Sequence, residues 1–202
     1  MFEQIEFWDR VLLQAINSTH TPFLDTLMWI MTKLYIWIPL FAWVIYKLWN
    51  YYQKQTFLIL AFLALSVVFS DQSSVFIKNR VQRYRPTHNL EIQDKLHLHQ
   101  NKDGEVYRGG MYGFVSSHAA NSWGLVILLL YFFRPIGKKY FWIFPAWAIV
   151  FCYTRMYLAA HYPLDILCGA ILGIACGGLA LWLYTLAKKQ INQASYRSDN
   201  NI

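Results

Sequence analysis

The chain has 202 residues, of which 56% are hydrophobic and 14% charged, and its formal net charge is +7. A mean hydropathy of +0.26 is typical of a polytopic membrane protein and not of a soluble one. The positive charges lie between apolar stretches, so they indicate loops and an anion site and exclude nucleic acid as a partner. The 3 cysteines lie in apolar stretches without disulfide or CxxC metal spacing.

The first segment in chain order, residues 2–17, has the pattern of an amphipathic helix. Apolar side chains recur at three- and four-residue steps, whereas Glu3, Glu6 and Arg10 fall on the opposite face. This pattern predicts a helix that lies in the plane of the membrane interface and does not span the membrane. The acidic start lacks the basic region of a signal peptide, so no cleaved leader is predicted.

Five apolar segments follow, each close to the roughly 20 residues that cross the hydrocarbon core of a bilayer. They cover residues 24–48, 56–77, 116–133, 140–156 and 163–187. We therefore predict an all-α membrane protein, a bundle of about five transmembrane helices plus the N-terminal interfacial helix. One domain is predicted over residues 1–190, followed by a polar, disordered tail over residues 191–202.

The second apolar segment carries a polar stretch at residues 70–74, which we expect to face the protein interior. Within it, Asp71 precedes Lys78 by two helical turns and lies on the same helix face. Two roles for Asp71 follow from this spacing, a pairing that orients Lys78 or a simple interhelical hydrogen bond.

Loop charges predict the orientation of the bundle. If five helices alternate, three basic connections share one side: Lys47 and Lys54; Arg134, Lys138 and Lys139; and Lys188, Lys189 and Arg197. The positive-inside rule makes this side cytoplasmic. The N-terminal helix and the polar loop at residues 78–113 then lie on the other side.

The loop at residues 78–113 is long for a compact membrane domain, and such loops are usually functional lids or disordered. It contains His97 and His99, which have one residue between them and no fixed third ligand, so a solvated loop is favoured over a metal site. Glycines near its end, including Gly113, allow the chain to re-enter the membrane tightly.

Three short motifs place basic or histidine side chains at the rims of apolar segments, where such clusters usually mark function. The motifs are Lys78-Asn79-Arg80-Val81-Gln82-Arg83-Tyr84-Arg85-Pro86, Val115-Ser116-Ser117-His118, and Thr154-Arg155 with His161 and Asp165. All three fall on the same predicted side. Together they supply cations, imidazoles and a carboxylate, which can hold a phosphate and carry out chemistry on it.

The third motif has the spacing of an oriented base. Pro163 suits the first turn of a helix, so His161 lies at the helix start with Asp165 one turn deeper. A carboxylate in that position can fix the imidazole tautomer and leave the other nitrogen free to attack or to transfer a proton.

The second and first motifs can hold an anion. Ser116 and Ser117 open a helix whose free backbone N–H groups favour negative charge, and helix capping is their alternative role. Pro86 stops the preceding helix and aims Arg85 into the site. By contrast, Arg80 and Arg83 are expected to face lipid head groups or solvent.

The pattern Lys-x6-Arg-Pro, Ser-x-His and Arg-x5-His-x3-Asp resembles the type-2 phosphatidic acid phosphatase superfamily, over roughly residues 20–187. The resemblance implies a membrane lipid phosphatase that needs neither metal nor cofactor and forms a phosphohistidine. It implies His161 as nucleophile, Asp165 as its orienter and His118 as general acid. It further implies a phosphate-binding set, namely Lys78, Arg85, Ser116, Arg155 and the backbone N–H of Ser117.

Two positions depart from the family pattern. Ser117 stands where the family usually has glycine, which keeps the backbone N–H but makes close backbone approach less free. Thr154 stands where the family usually has serine and keeps a hydroxyl; with Asp71 it is assigned to a supporting role around the phosphate site.

The size and orientation resemble bacterial enzymes that act on undecaprenyl pyrophosphate, which is the predicted substrate. The site would face the periplasm or cell exterior from a bacterial inner membrane. Lipid A 1-phosphate, phosphatidylglycerol phosphate and phosphatidic acid stay open as substrates, and so does the oligomeric state. A non-enzymatic lipid-phosphate transporter or binding protein is the alternative of another class, although intact His118, His161 and Asp165 favour an enzyme.

Overall fold

The computed structural model describes residues 2–100 and 104–199, and these residues form seven α-helices with short 3-10 turns and no β-strand. The helices are α1 (Phe2–Asn17), α2 (Pro22–Met31), α3 (Ile38–Tyr52), α4 (Gln55–Val81), α5 (Ser117–Phe133), α6 (Ile143–Tyr157) and α7 (Pro163–Asp199). The predicted all-α membrane fold is confirmed.

Two helices are long and apolar enough to cross a membrane by themselves, α4 and the Pro163–Ala194 part of α7. The first predicted span, residues 24–48, is not a straight helix, because α2 and α3 meet at a bend of 73°. The chain leaves the helix after Met31, and Pro39 lies in the first turn of α3, where proline is tolerated because its missing N–H has no partner there. The number of five spans stays a prediction.

The long polar loop begins later than predicted. Lys78 lies in the last turn of α4, which ends at Val81, and Gln82 adopts a left-handed conformation with a φ of 53°. A left-handed residue commonly ends a helix because it turns the chain away from the helix axis. We call residues 82–116 the site loop; of these, residues 101–103 lie outside the described part of the chain.

The C-terminal tail differs from the sequence-based expectation. The helix α7 continues through Asp199, and residues 200–202 lie outside the described residues. After Gly178 the sequence contains neither glycine nor proline, the residues that most strongly interrupt a helix. The division of the chain at residue 190 stays a prediction.

Of the three buried clusters, the two with the most residues organise the fold. The larger joins α3 to α7, with Leu48, Phe132 and Phe144 fully buried. The smaller joins α1 to the site loop through Leu13, Ile92, Leu96, Ala159 and Tyr162. The predicted inward orientation of the polar stretch is found for its terminal serines, Ser70 and Ser74, which are buried, but not for Gln72, which is exposed. The smaller cluster folds the site loop onto α1.

The helix α1 presents two unlike faces. Its predicted apolar face is exposed: Ile5, Trp8 and Leu12 retain 44%, 58% and 52% of their surface. The face that carries Asp9 and Asn17 is buried against the site loop and the start of α7, whereas the predicted polar face, with Glu6, stays exposed. An apolar face left uncovered by protein is what an interfacial helix offers to lipid.

Glycines bring α5 and α7 into close contact. Gly169, Gly173 and Gly177 repeat every four residues and so share one face of α7. A Cβ atom at Gly177 would lie 2.5 Å from the carbonyl oxygen of Gly124 in α5. Small residues at such spacing let helix backbones approach closely inside a membrane. This stripe sets the distance between the two helices that carry the histidine motifs.

Substituting Gly177 with alanine is therefore expected to destabilise the protein by about 1–3 kcal/mol, the usual cost of overpacking. Gly178→Ala is a matched control, because a Cβ atom at the neighbouring Gly178 would meet no other atom within 4 Å. Thermal unfolding in detergent measures both. Equal melting temperatures for the two variants would contradict the close packing of α5 and α7.

The three basic connections meet at one end of the bundle. Tyr52, Arg134 and Lys188 line a common cavity, while α5 and α7 begin at the opposite end. The cytoplasmic assignment of this end stays a prediction.

Candidate active site

The three motifs converge where α4 and α6 end and α5 and α7 begin. Lys78 comes from the last turn of α4, and His118 from the first turn of α5. Arg155 lies in the last turn of α6, and Asp165 in the first turn of α7. His161 lies in the short connection between α6 and α7.

His161 and Asp165 form the centre of the site, and both are fully buried. The Nδ1 atom of His161 lies 3.5 Å from Oδ2 of Asp165, at the outer limit of a hydrogen bond. Within the described part of the chain, neither ring nitrogen of His161 has a hydrogen-bond partner. Unpartnered buried polar atoms are rare in folded proteins and call for a functional explanation.

Three predicted cations surround this imidazole. The pKa of His161 is well below its ordinary value, first because the ring is buried and then because Arg85, Arg155 and Lys78 lie nearby. The ring is therefore neutral near pH 7, and a neutral imidazole has the free electron pair that a nucleophile needs. The predicted convergence of the cations on His161 is found.

Arg85 is held by backbone carbonyl groups. Its Nε donates to Tyr112 at 3.2 Å and its Nη1 to Ala160 at 3.4 Å. Burial, followed by the charge of Arg155, lowers the pKa of Arg85 from its ordinary value. Neutral carbonyl partners leave the positive charge of the guanidinium available to a phosphate.

Arg155 is held by two hydroxyl groups that the sequence did not indicate. It donates to the hydroxyl of Thr32, directly after α2, and at 3.0 Å to the hydroxyl of Tyr107 in the site loop. Burial alone would raise the pKa of Tyr107, but Arg155, Arg85 and Lys33 outweigh it and lower that pKa. Tyr107 therefore lies within the positive field of the site.

Lys78 does not pair with Asp71. Its ammonium group donates to the hydroxyl of Ser117, which also shares a hydrogen bond of 2.7 Å with Ser74. Across residues 2–100 and 104–199, the side chain of Asp71 makes no hydrogen bond or ion pair, and only its backbone carbonyl accepts from Ser74. A hydroxyl from α5 orients Lys78 because it is closer than the carboxylate two turns away.

The capping role of Ser116 is found. Its hydroxyl accepts from the backbone N–H of Ala119 at 3.4 Å, and its own N–H donates to the backbone carbonyl of Asp165 at 3.0 Å. The next N–H groups, beginning with Ser117, belong to the first helical turn and have no intrahelical acceptor. The start of α5 is thus fixed against α7 with free donors beside the cations.

The hydroxyl of Thr154 is used inside its own helix. It donates to the backbone carbonyl of Phe151 at 2.7 Å, and the residue is fully buried. This local bond competes with any contact to the phosphate site.

His118 is half-buried, and its ring lies 5.5 Å from that of Phe151. The positive charges of Arg155, Arg85 and Lys78 lie near enough to its imidazole to interact with it.

Arg83 does not face solvent or lipid head groups, so that prediction is wrong, whereas Arg80 is exposed as expected. Nη1 of Arg83 lies 2.7 Å from Oδ1 of Asp165, and its Nη2 lies 2.7 Å from Oδ2 of Asp9. The physical reason is the left-handed turn at Gln82, which takes Arg83 off the helix surface that carries Arg80. The sequence did not indicate Asp9. Its only distinguishing feature is its position four residues before Leu13, on the same helix face as that buried leucine.

Gly113 allows the site loop to pass beside the buried carboxylate. A Cβ atom there would lie 2.9 Å from Oδ2 of Asp165 and 3.2 Å from Cγ of Arg85. The glycine is required by this close approach, since its φ is not in the left-handed region.

Gly113→Ala is expected to lower kcat about 100-fold, because displacing a catalytic group by about 1 Å has an effect of that size. Gly110→Ala is the matched control, since no atom lies within 4 Å of its Cβ position. Phosphate release per folded molecule measures both variants. Full activity in Gly113→Ala would contradict the described approach of the loop to Asp165.

The loop histidines take part in other contacts. Nε2 of His97 lies 2.9 Å from Oδ2 of Asp25, and its ring stacks on His20. In the described ranges, no three His, Cys, Asp or Glu side chains converge in a way that could hold a metal ion.

The fold and this cluster define an integral membrane protein with a buried histidine–carboxylate pair beside three cations. The sequence profile of the PAP2 superfamily matches residues 55–189. The chain therefore belongs to the PAP2 superfamily and is a phosphatase that acts on a lipid phosphate, as the three motifs predict.

Two relatives are similar over most of the chain. One, the lipid A 4'-phosphatase of Bacteroides thetaiotaomicron, is 37% identical over 206 aligned positions, which cover 100% of this chain and 86% of that protein. Another, the lipid A 4'-phosphatase of Porphyromonas gingivalis, is 29% identical and covers 90% of this chain and 75% of that protein. Neither is named for undecaprenyl pyrophosphate, so that substrate prediction is unsupported.

Two solved structures share the fold. Aquifex aeolicus LpxE has a TM-score of 0.62 at 22% identity, covering 84% of this chain and 92% of that chain. The transmembrane PAP2-type phosphatidylglycerolphosphate phosphatase of Bacillus subtilis has a TM-score of 0.64 at 18% identity. The match covers 89% of this chain and 86% of that chain.

Proposed function

We propose that this phosphatase removes the 4'-phosphate of lipid A through a phosphohistidine on His161. The buried His161, unpartnered at both ring nitrogens and surrounded by Lys78, Arg85 and Arg155, is the observation that carries the chemistry. The lipid A assignment is supported by the 37% identity, over the whole chain, to a protein named for that activity. It replaces undecaprenyl pyrophosphate, and it differs from the 1-phosphate alternative in the phosphate that is removed.

In the proposed ground state the three cations bind the phosphate oxygens. Arg85 and Arg155 offer planar forks, Lys78 offers a point charge, and the free N–H of Ser117 adds a helix-terminal donor. Neutralising the charge on the transferring group is the main catalytic requirement of phosphoryl transfer. The three side chains supply that charge, which supports a metal-independent reaction.

In the first step Nε2 of His161 attacks phosphorus in line with the sugar oxygen. The Nε2–P bond forms as the P–O bond breaks, and His118 gives its proton to the departing oxygen. The Nδ1–H of the resulting imidazolium faces Oδ2 of Asp165, 3.5 Å away, which stabilises the positive charge. In the second step His118 takes a proton from water, which attacks phosphorus and releases inorganic phosphate and free His161.

We further propose that the site faces the periplasm from a bacterial inner membrane. The basic end of the bundle, with Arg134 and Lys188, would then be cytoplasmic by the positive-inside rule. The exposed apolar face of α1, including Trp8 and Leu12, would lie in the outer interface at the level of lipid phosphates.

The test is phosphate release by the purified protein in detergent, with a chelator present. The substrates are lipid A, undecaprenyl pyrophosphate, phosphatidylglycerol phosphate and phosphatidic acid, and His161→Ala is the control. We expect the highest kcat/KM for lipid A and no release by the variant. A higher kcat/KM for any other lipid would overturn the substrate assignment while leaving the phosphatase class intact.

A further inference from the structure

The two oxygens of the Asp165 carboxylate have different partners. Oδ1 accepts from Nη1 of Arg83 at 2.7 Å, while Oδ2 accepts from the backbone N–H of Tyr162 at 3.0 Å and faces His161. A carboxylate held at both oxygens cannot rotate about its Cβ–Cγ bond without losing a charged hydrogen bond. The contact with Arg83 therefore sets the direction in which Oδ2 points at the imidazole.

Arg83 is itself fixed on three sides. Its Nη2 donates to Oδ2 of Asp9 at 2.7 Å, and its guanidinium lies 4.1 Å from the ring centroid of Tyr162. The hydroxyl of Tyr162 in turn accepts from the side-chain amide of Asn89 at 3.0 Å. Both terminal nitrogens face carboxylates, which distinguishes Arg83 from Arg85 and from the other phosphate-site cations.

The two carboxylates stabilise the positively charged form of Arg83. Burial lowers the pKa of Arg83, but the charges of Asp165 and Asp9 outweigh burial and raise that pKa above its ordinary value. A guanidinium between two carboxylates forms charge-assisted hydrogen bonds, which are roughly twice as strong as neutral ones.

Asp9 anchors the arrangement to the N-terminal helix. Its side chain is buried, and its Oδ1 accepts from the backbone N–H of Leu164 in the first turn of α7 at 2.8 Å. A buried carboxylate is costly unless charged and hydrogen-bonded partners satisfy it, and here both are present. One carboxylate thus joins α1, the site loop and the start of the helix that carries Asp165.

We propose that Arg83 is a positioning residue that aligns Asp165 with His161, and that Asp9 holds Arg83 in place, so that α1 completes the active site. This inference rests on the proposed roles of His161 and Asp165. It assigns α1 a function in turnover beyond attachment to the membrane surface. Disturbing Asp9 should therefore slow the chemical step even though Asp9 does not contact the phosphate-binding cations.

The test compares Arg83→Gln and Asp9→Asn with the matched controls Arg80→Gln and Glu6→Gln, whose parent side chains are exposed. We expect Arg83→Gln to lower kcat about 100-fold and Asp9→Asn about 10-fold, with KM changed less than about 3-fold, since alignment and not substrate binding is lost. The controls should keep wild-type kcat. Activity is referred to the folded fraction from size-exclusion chromatography in detergent.

A double-mutant cycle separates positioning from a general structural role. In an Asp165→Asn background, Arg83→Gln should cause no further loss of kcat, because the group that Arg83 positions is already altered. Arg83→Lys, which keeps one charged donor, should recover part of the loss. If Arg83→Gln does not fold, the kcat values of Arg83→Lys and Asp9→Asn are compared with those of the wild-type protein and the controls instead.

The outcomes are distinguishable. Wild-type kcat in Arg83→Gln and Asp9→Asn, with His161→Ala inactive, overturns the positioning role alone, as do additive losses in the cycle. Turnover by folded His161→Ala overturns the proposed function itself. A rise in KM at constant kcat would make Arg83 a substrate-binding residue and would also overturn the inference.

Discussion

Replacing His161 with alanine is expected to lower kcat for lipid A by roughly 10⁴- to 10⁶-fold, the range seen when a catalytic nucleophile is removed. The reason is that no other side chain among the described residues combines full burial, a neutral ring and three adjacent cations. The loss of rate is measured as phosphate release in single turnovers by the detergent-purified wild-type and variant proteins.

His20→Ala is the matched control for this variant, since His20 is an exposed histidine that stacks on His97 in the site loop. It should retain wild-type kcat. Wild-type protein quenched in alkaline denaturing detergent should also carry an acid-labile, base-stable phosphate that His161→Ala lacks. A phosphoenzyme that persists in the variant would place the nucleophile elsewhere.

Replacing His118 with alanine is expected to lower kcat for lipid A by about 10²- to 10⁴-fold, the usual contribution of a general acid–base group. The loss should depend on the leaving group, because a sugar alkoxide must be protonated as it departs and a nitrophenolate need not be. The first-turnover burst of nitrophenol from p-nitrophenyl phosphate should therefore be far less impaired than cleavage of lipid A. The same proportional loss for both substrates in the first turnover would contradict the acid role of His118.

The centre of the site could be predicted because its geometry is local. His161 and Asp165 are four residues apart at a helix start, and Pro163 between them fixes where the helix begins. The cations could be assigned to the same end because each lies at the border of an apolar segment. Neither inference required knowledge of how distant segments pack.

The supporting contacts could not be predicted because they join segments far apart in sequence. Arg83 and Asp9 are separated by 74 positions, and Arg155 is separated by 123 positions from Thr32. Hydrophobic periodicity says which face of α1 is apolar, but not that the strip carrying Asp9 and Leu13 packs on protein while the apolar face stays exposed. In a membrane protein the usual rule of burial is reversed for a helix at the interface.

The bend between α2 and α3 could not be predicted from hydropathy either. Residues 24–48 are apolar enough for one span, yet the helix stops at Met31 and Thr32 bonds to Arg155 instead. Hydropathy records how apolar a segment is, and the path of its backbone depends on contacts with the rest of the protein. The interruption at Thr32 places a hydroxyl beside Arg155 of the candidate site.

The most direct measurement is mass spectrometry of lipid A that carries phosphates at both the 1- and 4'-positions, after incubation with the purified wild-type protein and with His161→Ala. Fragmentation of the product locates the phosphate that remains. We expect the wild-type protein to remove only the 4'-phosphate and His161→Ala to remove neither phosphate. Loss of the 1-phosphate, or equal loss with the variant, would contradict the proposed function.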